Sequence, residues 1–227
     1  MIHTKLISYD GLEAFAAYPA EEKRPLVILY HSWSGRDQYI LDKARWIASL
    51  GYVGFAIDMY GKVGRTKEEN TALKKPFMDD RKLLLKTALM GLDTALSFPF
   101  ADTNKIAVLG FGFGGVCALD LVRSGADIKG AVSVYGHFDP PNLPRKEIKS
   151  KLLILHGNDD PIAPVKGLTA FSHEMKGVDF QVHLFSNTMH AFTNPHANDR
   201  EYGTLFQPES SKRAHLLMQS FLHEIFN

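Results

Sequence analysis

Residues 106–118 read Ile106-Ala-Val-Leu-Gly110-Phe-Gly112-Phe-Gly114-Gly115-Val-Cys117-Ala118, an apolar run of strand length that passes into a helix-forming segment through a turn dense in glycine. Glycine at such a corner permits backbone angles and close approaches that a Cβ forbids. A strand feeding a helix through so tight a turn belongs to an open α/β sheet, where reacting groups collect at the carboxyl ends of the strands. The spacing Gly110-x-Gly112-x-x-Gly115 also fits a dinucleotide-binding turn, but that turn belongs in the first strand–helix–strand unit of its fold. Here at least two such strands come earlier, and the acid near the expected offset, Asp127, precedes the next strand instead of following it. A dinucleotide-binding protein is therefore the last-ranked reading.

Outward from this corner, strand-length and helix-length segments take turns. Residues 3–8 and 12–18 form a hairpin about Asp10-Gly11, and buried apolar runs follow at 25–30, 52–57, 105–109, 129–134, 151–155 and 179–185. Helices are expected at 38–50, 76–97, 114–124, 164–176 and 209–226, two of them ended by Gly51 and Gly125. The alternation predicts an α/β fold, a mostly parallel sheet with helices on both faces, in one domain spanning 1–227. Segment 61–75 is the least regular, and reads either as a surface excursion beside the pocket or as an ordinary solvated connection.

Composition narrows the partners. With 26 Lys and Arg against 25 Asp and Glu, the chain offers no field for nucleic acid or a membrane surface. No apolar stretch reaches the ~18 residues of a membrane span, and residues 1–5 lack the pattern of a secretion signal, so a cytoplasmic location is expected. Cys117, the single cysteine, lies in an apolar stretch and reads as a buried thiol.

In α/β-hydrolases the corner has the pattern Gly-x-nucleophile-x-Gly and holds a Ser or Cys above the sheet. Gly110 and Gly114 take the flanks here, and Gly112 the middle. Over nearly its whole length the chain resembles the dienelactone hydrolases, whose corner commonly reads Gly-Tyr-Cys-Phe-Gly-Gly. The segment 39–53 followed by Ile57-Asp58-Met59-Tyr60-Gly61 is similar to that family's first helix and next strand. Leu155-His156-Gly157-Asn158-Asp159-Asp160-Pro161 matches its strand ending in His-Gly-x-x-Asp-Pro, and Met189-His190-Ala191-Phe192 its His-Ala-Phe. The resemblance implies Asp160 as triad acid, His190 as general base, and an oxyanion hole from the N–H groups of Trp33 and Phe113. It also implies hydrolysis of a small ester or lactone without a cofactor or metal.

Two departures bear on the chemistry. Gly112 stands where the family has its nucleophilic Cys, and Ser32, in His31-Ser32-Trp33-Ser34-Gly35, stands where it often has Glu. Three readings stay open: Ser32 substitutes as nucleophile under His190, His190 activates a water, or the site only binds an anionic or carbonyl-bearing ligand. Tyr60, Tyr135 and Asn194 are expected around the pocket with Trp33, whereas the Phe113 ring reads as core more than as pocket wall, and His156 reads as structural. Residues 191–195 lack the Arg that holds the carboxylate of dienelactone in the family. His190 and His196 share a loop with no third ligand in view, which argues against a metal.

Overall fold

Alternate residues of the central strands enter two separate apolar layers in the computed structural model, which describes residues 1–227. In β3 (Arg24–Tyr30), Leu26, Ile28 and Tyr30 face one layer and Val27 and Leu29 the other. β5 (Ala101–Phe111) and β7 (Lys151–Gly157) divide in the same way. Burial on two faces is why these strands read as continuous apolar runs. The first layer is closed by α3 (Arg81–Leu96), α4 (Phe113–Arg123) and α5 (Gly167–Glu174), the second by α1 (Gln38–Ser49) and α6 (Pro208–Phe226).

β1 (His3–Tyr9), β2 (Leu12–Tyr18), β4 (Val53–Ile57), β6 (Gly130–Val134) and β8 (Phe180–Phe185) complete an eight-stranded sheet of order β1-β2-β4-β3-β5-β6-β7-β8. β1 pairs antiparallel with β2 and β2 with β4, while every pairing from β4 to β8 is parallel. The parallel strands therefore end along one edge, and the loops after β3, β5, β7 and β8 meet there. No helix is long and apolar enough to cross a membrane.

One expectation fails. Segment 61–75 is largely helical: Lys67–Asp79 form α2, and the helix expected at 76–97 begins only at Arg81. Thr66 caps α2 by accepting the Glu69 N–H (3.2 Å), and Glu68 and Glu69 complement its N-terminal dipole. Asp80 separates the two helices and caps α3, accepting from the N–H groups of Lys82 (2.9 Å) and Leu83 (3.3 Å). Pro76, which reads as a helix start, lies in the last turn of α2. The small hairpin of β9 (Asn198–Asp199) and β10 (Thr204–Leu205) is also absent from the sequence reading.

Polar contacts lock the helices of each layer. Asp120 accepts two hydrogen bonds from Arg81 (both 2.7 Å) and one from Arg123 (3.3 Å), and Arg123 continues to Glu174 (2.8 Å), tying α3, α4 and α5 together. On the other face, Lys43 Nζ donates to His215 Nε2 (2.7 Å), while His215 Nδ1–H donates to the Ser211 carbonyl (2.7 Å). No carboxylate lies within ion-pair distance of Lys43, and burial lowers its pKa from 10.5 to about 8. Folded, this lysine binds fewer protons than when unfolded, so its penalty is full below pH 8 and fades as pH rises to 10.5. Lys43→Met is expected to add ~1–2 kcal/mol of stability at neutral pH and to flatten the rise above it, read by chemical denaturation across the pH range.

Candidate active site

β5 ends at Phe111 and α4 starts at Phe113, leaving Gly112 as a corner with φ 56° and ψ −111°. Its N–H donates to the Val134 carbonyl (2.9 Å), and its own carbonyl accepts from the Gly115 N–H (2.9 Å). Ideal Cβ atoms at Gly110 and Gly114 would fall 1.9 Å from the Gly114 carbonyl oxygen and 2.0 Å from that of Tyr30, so neither position takes a side chain. Gly112 differs, because a Cβ there would meet His190 Nε2 at 3.4 Å and the Tyr135 ring at 3.6 Å, ordinary contact distances. Room for a nucleophile remains, although the positive φ would strain any side chain placed on it.

Asp160 and His190 come together from the loops after β7 and β8. His190 Nδ1–H donates to Asp160 Oδ2 (2.7 Å), and Asp160 Oδ1 accepts from the N–H groups of Ile162 (2.9 Å) and Ala163 (2.8 Å). Three donors surround this buried carboxylate, and the Nδ1–H bond to it fixes the His190 tautomer, which leaves Nε2 as the free lone pair. The β9–β10 hairpin carries the histidine: His190 N–H donates to the Gly203 carbonyl (3.1 Å), and the His190 carbonyl accepts from Leu205 N–H (3.1 Å). His156, buried below, donates from Nε2 to the Ala163 carbonyl (2.6 Å), and burial keeps it below the usual imidazole range, so it stays neutral.

Trp33 and Phe113 line the same cleft as Gly112 and His190. His31 Nδ1–H donates to the Ser32 carbonyl (2.6 Å), and His31 Nε2 accepts from Met59 N–H (3.0 Å). A trans peptide points its N–H away from its carbonyl, so this bond also fixes the direction of the Trp33 N–H. By the same rule, the Phe113 N–H points away from the Gly112 carbonyl, which faces back into α4. The Trp33 N–H has no acceptor in the protein, and Phe113 begins a helix, where the N–H has no intrahelical partner.

Tyr135 forms a wall beside the histidine, ring centroids 4.9 Å apart, with its backbone at φ 43°. Its hydroxyl bonds Thr193 (3.1 Å) and Tyr39 (3.2 Å), and burial pushes its pKa up to about 12, so it acts as a braced ring and not as an acid. Asn194 lines the cleft as expected. Ser32 lines it too, but its hydroxyl pairs with that of Ser34 (3.3 Å) and makes no hydrogen bond to His190. Tyr60 is a correction. It does not face the cleft; its ring packs behind the wall, against Phe113 (5.3 Å) and His31 (4.6 Å).

Among the lining residues that escaped the sequence reading are Lys74 and Met78 from α2, His137, and Tyr202 from the β9–β10 turn. Lys74 and His137 form no hydrogen bond or ion pair, burial lowers the pKa of each, and no Asp or Glu lines the cleft. Tyr202 stacks on Trp33 (5.3 Å, 19°) and carries Lys67 Nζ over its other side (4.6 Å), with Lys67 also paired to Asp199. Recognising Thr66-x-x-Glu69 as a helix start would have put Lys74 and Met78 on one helix face near the site.

A glycine-flanked strand-to-helix corner that faces an Asp-braced histidine is how α/β-hydrolases are built. The model of the dienelactone hydrolase family matches residues 12–226, and the chain belongs to that family. It is 30% identical over 154 residues to an uncharacterized protein of Caenorhabditis elegans, covering 65% of this chain and 98% of that one. It is 28% identical over 100 residues to a carboxymethylenebutenolidase homolog of Mus musculus, covering 42% and 40% of the two chains. Among solved structures it is similar to a dienelactone hydrolase-like promiscuous phosphotriesterase from metagenomic libraries, with TM-score 0.89, 26% identity, and coverage of 100% of this chain and 99% of that one. A structure titled m3DLH gives the same TM-score at 25% identity, covering 100% and 99%.

The glycine flanks supply a test of this geometry. Gly114→Ala is expected to push α4 off the Tyr30 carbonyl and to cost ~1–3 kcal/mol, measured by thermal unfolding, with loss of any activity that uses the Phe113 N–H.

Proposed function

We propose that the protein hydrolyses a small ester or lactone by direct attack of a water that His190 deprotonates, with Asp160 stabilising the imidazolium that forms. The observation that carries this reading is the 3.4 Å between His190 Nε2 and the Cβ position of Gly112. A base with a free lone pair faces a space that fits a water and holds no side-chain nucleophile. The N–H groups of Trp33 and Phe113 would take the oxyanion of the tetrahedral intermediate, where such donors act most strongly on developing charge. Lys74 and His137 add donors and no competing carboxylate, which suits the negative charge that builds in the cleft.

Ser32 has no part in the step, because its hydroxyl is turned to Ser34. The substrate is a small carbonyl compound, held between the Trp33–Tyr202 stack and the apolar wall of Phe113 and Val116. Neither nucleic acid nor a membrane enters this reading, and the near-neutral charge supports that. A cytoplasmic setting is part of the same reading, supported by a single, buried, unpaired thiol at Cys117.

Hydrolysis of short p-nitrophenyl esters tests the proposal. Activity is expected in the parent chain, falling by about a hundredfold in His190→Ala and persisting in Ser32→Ala. Loss in Ser32→Ala would transfer the nucleophile to that hydroxyl. A silent parent that Gly112→Cys switches on would reduce the natural site to a binding cleft.

A further inference from the structure

Where the elbow bears a nucleophile, a hydroxyl or thiol stands between the histidine and the substrate. Here His190 Nε2 makes no hydrogen bond to the protein and looks across the Gly112 corner into the cleft. Trp33 and Phe113, whose N–H groups have no acceptor in the protein, line the same cleft, as do Lys74 and His137 with their unpaired heads. A free base and unpaired hydrogen-bond donors in one cleft, with no side chain at the corner before the base, suit removal of a proton from a carbon beside a carbonyl, because the charge passes to oxygen as the proton leaves.

We propose that the cleft also catalyses proton transfer between carbons of unsaturated lactones, moving an isolated double bond into conjugation with the carbonyl. The proposal shares with the hydrolytic reading the assignment of His190 as base, but it needs no attacking water. Nε2 takes the proton from the carbon between the carbonyl and the alkene. The C–H electron pair becomes a carbon–carbon π bond, and the carbonyl π pair moves onto oxygen, where the Trp33 and Phe113 N–H groups hold it. In a five-membered lactone this enolate is an aromatic furan oxyanion, which makes the C–H unusually acidic. The imidazolium, stabilised by Asp160, exchanges its proton with the solvent of the open cleft and then delivers a proton to the far carbon of the former alkene, and the carbonyl re-forms. One C–H bond breaks and another forms, nothing is oxidised or reduced, and no co-reactant is consumed.

The probe is α-angelica lactone, whose double bond lies out of conjugation, incubated with the full chain in deuterium oxide and followed by proton NMR. The expected product is the conjugated isomer carrying deuterium at its γ carbon, formed above the buffer rate and reduced about a hundredfold in His190→Ala. Hydrolysis of the same lactone gives levulinate, so the two activities are read separately in one sample. Isomer without levulinate upholds proton transfer and sinks hydrolysis. Levulinate without isomer or deuterium uptake overturns proton transfer and leaves hydrolysis standing, and the absence of both overturns both. Gly112→Cys, whose Cβ the corner accommodates, sets a thiol before Nε2 and is expected to slow isomerisation by about tenfold or more. Isomerisation at the parent rate in both variants would contradict the proposal.

Discussion

The carbonyl oxygens of Tyr30 and His31 lie 2.0 and 2.7 Å from where a side chain at Gly114 would begin. α4 can therefore start where it does only on a bare backbone, pressed against the end of β3. That approach brings the Phe113 N–H beside the Trp33 loop, and His31 completes the arrangement by gripping the Ser32 carbonyl and turning the Trp33 N–H away from it. Every other part of the site is placed against this joint. β7 and β8 run parallel to β5 and so deliver Asp160 and His190 to the same edge of the sheet.

Gly112 gives the corner no side chain, and its backbone holds φ 56° and ψ −111°. Gly112 holds a conformation that would strain any other residue, and as glycine it holds it without cost. Strain persists in the walls instead. Tyr135 and Ala191 both sit at positive φ, 43° and 58°, and such residues cost of order 1–3 kcal/mol each unless their surroundings over-determine them. Both flank His190. They aim the ring of Tyr135 at the imidazole and turn the chain immediately after it, so the remaining strain shapes the cleft around the base.

The sheet was open to reading from the sequence because its central strands are buried on both faces and announce themselves as apolar runs such as Leu26–Tyr30 and Leu152–Leu155. Asp160 and His190 were open to reading because each lies in a short signature after a strand, Asp160 after the buried β7 and His190 after the edge strand β8, which is mostly half-buried or exposed. α2 was hidden for the opposite reason. Most of its residues are exposed, polar or charged, so no apolar stripe marks its period, and Pro76 in its last turn imitates a beginning. Lys74 and Met78 were lost with it. His137 and Tyr202 could not be placed at all, because neither belongs to a motif and both reach the cleft only through long-range packing. Tyr60 failed differently: it lies after a strand like the true site residues, but its loop folds back, and the ring fills the space behind Phe113.

The central claim is that water, with no covalent intermediate, is what His190 activates. Rapid mixing of enzyme with a p-nitrophenyl ester, followed at once by intact-mass spectrometry, tests it most directly. The account predicts linear release of p-nitrophenol from the first turnover and an unmodified chain mass throughout. A stoichiometric burst with an acyl group on the protein, at Ser32 or elsewhere, would contradict it.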